Sequence, residues 1–254
     1  MAATAWTLSA HGKIAVLTFE RPPRHTMTLA AMTELADHLD RLAEQGDRYS
    51  LIMLTGGKDG YFVAHADFDD MAAYADGKTP PGDPMAWRRA HERLENMPQP
   101  TLAAVDGQAW GGGCETALAC TMRVASERAH FCLPEVSVGI IPGAGGSQRL
   151  PRLVGAAKGA ELCLSGRRVF AEEAQAIGLV NKVLPTDGFL AAALKWAEKI
   201  TRHPSPALFA AKQAMVEGLR GPLADGLQLE RQLMQELNAS EEAKALNATI
   251  ERAD

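Results

Sequence analysis

Two glutamates sit in settings suited to proton transfer. The first lies in Trp110-Gly-Gly-Gly-Cys-Glu115-Thr-Ala-Leu-Ala, where a strand should run into glycines and then into a helix. Such a junction exposes backbone N–H groups at a helix N-terminus, where the helix dipole favours negative charge. N–H groups so placed can stabilise an enolate oxygen developing on a thioester, and Glu115 falls in the first turn of the same helix. The plainer reading is that the glycines only permit a tight turn and that Glu115 caps the helix. The run is neither a G-x-G-x-x-G dinucleotide fingerprint nor a phosphate loop, since no G-K-[ST] follows.

The second glutamate belongs to Leu133-Pro-Glu135-Val-Ser-Val-Gly-Ile-Ile-Pro-Gly-Ala-Gly-Gly-Ser-Gln-Arg-Leu150. Pro134 and Val136 flank it in an otherwise apolar strand-to-loop segment. Desolvation there would raise its pKa, as a general acid requires. A surface or hydrogen-bonded glutamate is the commoner outcome for one such residue, and spacing alone does not bring the two carboxylates together.

The elements that must position them alternate strand and helix. Lys13 to Phe19 and Tyr49 to Thr55 read as short apolar, β-branched strands. Between them Leu29, Met32, Leu35, Leu39 and Leu42 recur at helical spacing, with Thr28 as the cap and Gly46 as the stop. Asp76 to Pro84 is a Gly- and Pro-rich loop, followed by a helix from Met85 to Met97 that Pro98 and Pro100 end. Thr101 to Val105 is the strand feeding the glycine run, and Arg123 to Ala125 and His130 to Leu133 are further strands. Beyond about Pro185 the chain becomes rich in Ala and Leu, with helices expected over Leu190 to Ile200, Ser205 to Leu219 and Leu223 to Leu237. This is an α/β core over residues 1–185 followed by a helical region over 186–254.

Composition narrows the function classes. A chain of 254 residues, 46% hydrophobic and 22% charged, buries a sizeable core. A net charge of -5 gives no basic surface for nucleic acid or anionic lipid. The first predicted helix carries Glu34, Asp37, Asp40 and Glu44 against Arg41, which argues against RNA in particular. Cys114, Cys120, Cys132 and Cys163 form no C-x-x-C pair and have no ligand-spaced histidines, so they read as buried thiols in a reducing compartment and not as a zinc site. Lys13 is the one basic residue among the first twenty, and no apolar run approaches a membrane span. A cytoplasmic protein without membrane contact is expected.

Together the two glutamate segments resemble the enoyl-CoA hydratase/isomerase (crotonase) family, whose pattern is an apolar strand, GGGxE, then PE…G…P…GG. Weaker similarity runs through Glu20-Arg21-Pro22, Leu54-Thr55-Gly56-Gly57, Phe62-Val-Ala-His-Ala-Asp67, and Leu164-Ser-Gly166 to Gly178-Leu-Val180. The resemblance implies a crotonase-like spiral of ββα repeats with a C-terminal helical trimerisation region, assembled as a homotrimer or a hexamer. It implies an acyl-CoA thioester substrate, with no metal and no redox cofactor. Matched position by position, Ala66 and Gly112 would supply two oxyanion N–H groups. Glu115 would orient and activate water for attack at C3, and Glu135 would help hold that water and protonate C2. Ala64, Ala66, Asp67, Phe68, Gly112 and Arg24 would contact the substrate, Arg24 at the CoA phosphates. Tyr74, Met85 and Trp87 are candidates for lining the acyl pocket.

The sequence departs from the family pattern in three places. His65 stands where a Gly usually precedes the oxyanion Ala, and Gly tolerates backbone angles that His adopts less easily. Thr26-Met27-Thr28 replaces the common Asn-Ala-Leu, and Pro23 a frequent Lys. The C-terminal Phe and basic cluster is reduced to Thr249-Ile-Glu-Arg252-Ala-Asp254. Possession of both glutamates favours hydration or dehydration over isomerisation, and over an inactive scaffold.

Overall fold

The computed structural model describes residues 4–57 and 60–250. The first three residues, read above for a targeting leader, and the C-terminal Glu251 to Asp254 lie outside the described residues. Strands β1 (Trp6–His11) and β2 (Ile14–Phe19) form an antiparallel hairpin, and α1 (Leu29–Ala43) crosses over to β3 (Leu51–Gly56), parallel to β2. The chain continues through β4 (Tyr61–Val63), α2 (Phe68–Ala75) and α3 (Ala86–Asn96). It then repeats a strand–strand–helix passage in β5 (Thr101–Val105), β6 (Gln108–Trp110) and α4 (Gly112–Ala119). A third passage gives β7 (Met122–Ser126), β8 (His130–Cys132), α5 (Gly146–Val154) and α6 (Ala156–Ser165). Then come β9 (Val169–Phe170), α7 (Ala171–Ala176) and β10 (Lys182–Leu184), and finally α8 (Phe189–Thr201), α9 (Ser205–Gly218), α10 (Leu223–Asn238) and α11 (Glu241–Ile250).

The strands sort into two sheets, ordered β1-β2-β3-β5-β7-β10 and β4-β6-β8-β9. Each passage leaves its first strand in the larger sheet and its second in the smaller, which is the expected ββα rhythm. Parallel central strands are buried on both faces and therefore read as continuous apolar runs; β3 (LIMLTG) and β5 (TLAAV) do so. Side chains alternate between the two faces of a strand. Ala15 and Leu17 thus enter the main core with α1, while Ile14 and Val16 join Leu51, Met53, Leu102 and Val124 under Phe189, Ala193 and Ala197 of α8.

Thr28 caps α1 as expected, its Oγ1 accepting from Ala31 N at 3.2 Å. The helix ends at Ala43, however, and Gly46 opens a short 3-10 turn over Gly46–Arg48 instead of stopping the helix itself. Part of the acidic face of α1 pairs internally, with Asp40 bound to Arg93 at 2.7 Å and Arg89 at 3.3 Å, and Asp37 to Arg89. Cys114, Cys120 and Cys132 are buried thiols, whereas Cys163 is half-buried. No helix among the described residues is long and apolar enough to cross a membrane.

Helix α9 is fastened to α3 by one buried lysine. Lys212 Nζ donates to the carbonyls of Leu94 (3.2 Å), Met97 (2.8 Å) and Gln99 (2.9 Å), satisfying acceptors at the C-terminal end of α3. Burial lowers its pKa to about 8. A buried acceptor left without a donor costs about 1–3 kcal/mol. Lys212→Met keeps the apolar stem and leaves Met97 O and Gln99 O without this donor, while Leu94 O keeps Thr101 Oγ1 at 3.0 Å, so it is expected to lower the unfolding free energy by about 2 kcal/mol or more. Urea denaturation of the two proteins measures it.

Candidate active site

The site forms where β6 turns into α4. Trp110 N donates to Ala64 O at 3.1 Å and Gly111 N to Cys132 O at 2.9 Å, so the strand is held on both sides up to the turn. Gly111 then takes φ 49° and ψ −125°, a conformation that a side chain would strain. A Cβ there would also lie 3.1 Å from Glu135 Oε1. Two residues on, a Cβ on Gly113 would meet Val63 O at 2.0 Å, so the bare glycine lets α4 rest directly on β4. At Gly112 the would-be Cβ position is 2.5 Å from Trp87 Cη2 and 3.5 Å from Ala66 Cβ. The glycine run therefore brings Gly112, Ala66, Trp87 and Glu135 into one cluster.

Ala66 is oriented by an isolated parallel bridge to Met27. Met27 N donates to His65 O at 2.8 Å and Asp67 N donates to Met27 O at 2.9 Å. Both bonds involve the neighbours of Ala66, so its own N–H points away from Met27. Neither Ala66 N–H nor Gly112 N–H has a hydrogen-bond acceptor among the described residues. His65 does not distort this loop: among described non-glycine residues His25 alone has positive φ. The His65 ring turns aside, its Nδ1 2.7 Å from Ala66 O and its centroid 4.4 Å from that of Phe68.

Glu115 is 3% exposed, and it does not cap its own helix. Its Oε1 accepts from Ala144 N at 2.7 Å and Gly146 N at 2.8 Å, where Gly146 is the first residue of α5. A carboxylate at a helix N-terminus gains from both the orphan N–H groups and the dipole. Burial pushes the Glu115 pKa up, while the two N–H bonds and the Arg149 charge work against that rise. Glu135, which heads a 3-10 turn over Glu135–Val138, has no comparable support. Its Oε2 is buried without a hydrogen-bond partner among the described residues, and burial together with the Glu115 charge raises its pKa to about 7. Paired carboxylates in unlike surroundings have their pKa values pushed apart, and the one with less support is the one placed to hold its proton.

The remaining predicted contacts are dispersed. Ala64 spends its N–H on His25 O and its carbonyl on Trp110 N and Gln108 Nε2. The Asp67 carboxylate accepts from Arg21 Nη1 (2.7 Å), Thr26 Oγ1 (2.6 Å) and Asp69 N (3.1 Å), and thus caps α2 and ties it to the Arg21 turn. Phe68 is exposed beside His65, and Arg24 is exposed in the turn ahead of Met27. Of the three pocket candidates, Tyr74 and Met85 are exposed and Trp87 alone is placed against Gly112. No cluster of three or more metal-ligating side chains occurs among the described residues.

Sequence reasoning missed the Ala144 and Gly146 N–H groups that anchor Glu115, and it missed His91, whose buried ring lies at their back. Pro142-Gly-Ala-Gly-Gly146 signals a turn opening a helix, but nothing in its spacing names the carboxylate it receives.

The chain is similar to known proteins over nearly its whole length. The family model described as Enoyl-CoA hydratase/isomerase matches residues 9–254. The chain is 40% identical to the 2,3-dehydroadipyl-CoA hydratase of Escherichia coli (strain K12) over 237 residues, 92% of this chain and 91% of that protein. It is 39% identical to a probable enoyl-CoA hydratase of Rhizobium meliloti (strain 1021) over 236 residues, 92% of this chain and 89% of that one. The crystal structure of an enoyl-CoA hydratase from Bacillus anthracis superposes with a TM-score of 0.88 at 33% identity, covering 98% of this chain and 96% of the other. The two segments that first suggested a resemblance meet in space, and the likeness extends over nearly the whole chain and its two-sheet α/β fold. The chain belongs to the enoyl-CoA hydratase/isomerase (crotonase) family.

Proposed function

We propose that the protein is an enoyl-CoA hydratase, adding water syn across the 2,3-double bond of an enoyl-CoA thioester. The observation that carries this reading is the unequal support of buried Glu115 and half-buried Glu135 beside two unpaired backbone N–H groups. With the thioester oxygen on Ala66 N–H and Gly112 N–H, electron density leaves C3 toward that oxygen and C3 becomes electrophilic. Ionised Glu115 takes a proton from water as the C3–O bond forms. Protonated Glu135 gives its proton to C2 as the enolate collapses. One water is consumed, and the two carboxyls have exchanged protonation states. The E. coli relative is named for a hydration on a CoA thioester, which fits the same reaction class. Exposed Met215 on α9, Leu219 just past its end, and Leu223, Leu227 and Met234 on α10 support a trimer built through the C-terminal helical region. Unbridged thiols support a reducing, cytoplasmic setting.

The test follows the ultraviolet absorbance of the enoyl thioester on adding the protein to crotonyl-CoA, then to longer and branched enoyl-CoAs, across pH. Loss of absorbance is expected, with kcat/KM highest on the acid side of about 7 and falling above it as Glu135 loses its proton. On the acid limb activity falls as Glu115 takes a proton, at a pH above its ordinary value of 4.5. Dehydration is expected to show the same profile, because both directions start from an enzyme carrying one proton on the pair. No absorbance change with any enoyl-CoA would remove the hydratase reading.

A further inference from the structure

His91 lies on the inner face of α3, 2% exposed, and uses both ring nitrogens. Nδ1 is 3.0 Å from Ala144 O, and Nε2 is 3.0 Å from Thr116 Oγ1. Ala144 is the residue whose N–H holds Glu115 Oε1 at 2.7 Å. Thr116 follows Glu115 on α4, and its Oγ1 is 2.8 Å from Gly112 O, one turn back at the start of that helix. A single imidazole thus joins the turn that anchors Glu115 to the helix that carries both Glu115 and Gly112.

The chemistry fixes the tautomer. A carbonyl only accepts, so Nδ1 carries the proton toward Ala144. Burial, reinforced by the Arg149 charge, lowers the pKa to about 4, so the ring is neutral and Nε2 carries a lone pair; the single Thr116 hydroxyl proton is then shared between Nε2 at 3.0 Å and Gly112 O at 2.8 Å. Arg149 Nη1 also reaches Ala144 O, at 3.0 Å, while its Nη2 binds Glu95 at 3.1 Å. Arg149 makes no bond to α4 among the described residues, so apart from the Glu115 carboxylate itself it is His91 that ties the turn to the helix. Trp87, one turn earlier on α3, packs edge-on against the ring at 5.7 Å and itself reaches Gly112.

We propose that His91 is a positioning residue for this site: by holding the Ala144 carbonyl and the Thr116 hydroxyl at once, it fixes the Glu115 carboxylate relative to the Gly112 N–H. The proposal rests on the hydratase reading above. Misplacing a reacting group by about 1 Å can cost about 10²-fold in rate. His91→Phe, which fills the same space without either bond, is therefore expected to lower kcat by about 10- to 100-fold and leave KM within about twofold. His91→Asn puts an amide N–H where Nδ1–H was, restoring the Ala144 bond without the Thr116 one, and is expected to recover part of kcat. Hydrogen exchange supplies a readout that does not depend on turnover: the Ala144 and Gly146 amides should lose protection in H91F and regain it in H91N. Should H91F not fold, His91→Gln makes the same comparison, since it can reach Thr116 but not Ala144. A kcat in H91F, or in H91Q in its place, near that of the native protein overturns the proposal; so does a loss that H91N does not even partly repair. If the native protein turns over no enoyl-CoA, the hydratase reading fails, and the protection of the two amides still decides the role of His91.

Discussion

Glu135→Gln is expected to fold and to lose about 10²–10⁴ of the hydration rate, the usual contribution of a positioned acid. The substitution keeps the shape of the side chain beside Gly111 and removes the proton that the proposed hydration delivers to C2. Its effect on stability should depend on pH, with a sign opposite to that of a salt-bridged carboxylate. The folded state raises this pKa from 4.5 to about 7, so between those values the folded chain binds more protons than the unfolded one. The native protein therefore loses stability relative to the glutamine variant as pH rises from about 4.5 through about 7, and the difference then stays constant. Melting curves at acid and alkaline pH check this independently of any substrate. A folded variant with near-native turnover would take Glu135 out of the mechanism.

Glu115→Gln is expected to cost a similar factor, about 10²–10⁴, for a different reason. The glutamine oxygen can still accept from Ala144 N and Gly146 N, so the side chain stays anchored and only the base is lost. Glu115→Ala also removes the anchor and leaves two N–H groups at the start of α5 without an acceptor, at about 1–3 kcal/mol of stability for each that stays dry. Comparing the two variants separates chemistry from positioning. The double variant Glu115→Gln/Glu135→Gln should be little slower than the worse single one, because groups that act as a unit do not contribute additively. A full product of the two losses would mean that the carboxylates work independently.

Much of the frame was legible in the sequence wherever burial is complete. The α1, β3, β5 and α4 segments declare themselves because all or one full face of each is apolar. Strand β1 does not: in WTLSAH only Trp6 is buried, so an edge strand reads like a loop. The short strands β4, β6, β9 and β10 span three residues or fewer, too short for any period to register. At the site, the glutamates and the glycine run were legible as residue types, and the family resemblance supplied their roles. Their partners were not. Glu115 looked like a cap for α4 and is instead held by the N-terminus of α5, 31 residues further along, well beyond the window in which periodicity is read. His91 carries no signal of its own in the sequence, and only the fold sets Ala144 and Thr116 at its two nitrogens.

The Lys212 fastening has a consequence in terms of linkage. It fixes α9 to the C-terminal end of α3, the same helix that carries Trp87 and His91 to the site. Two equilibria then share one lever: the docking of the C-terminal helices and the ordering of the residues around Gly112. Coupling of this kind is reciprocal. A neighbour that steadies α9 makes α3 easier to hold in its working position, and any ligand that steadied Trp87 would tighten the hold of α9 by the same free energy.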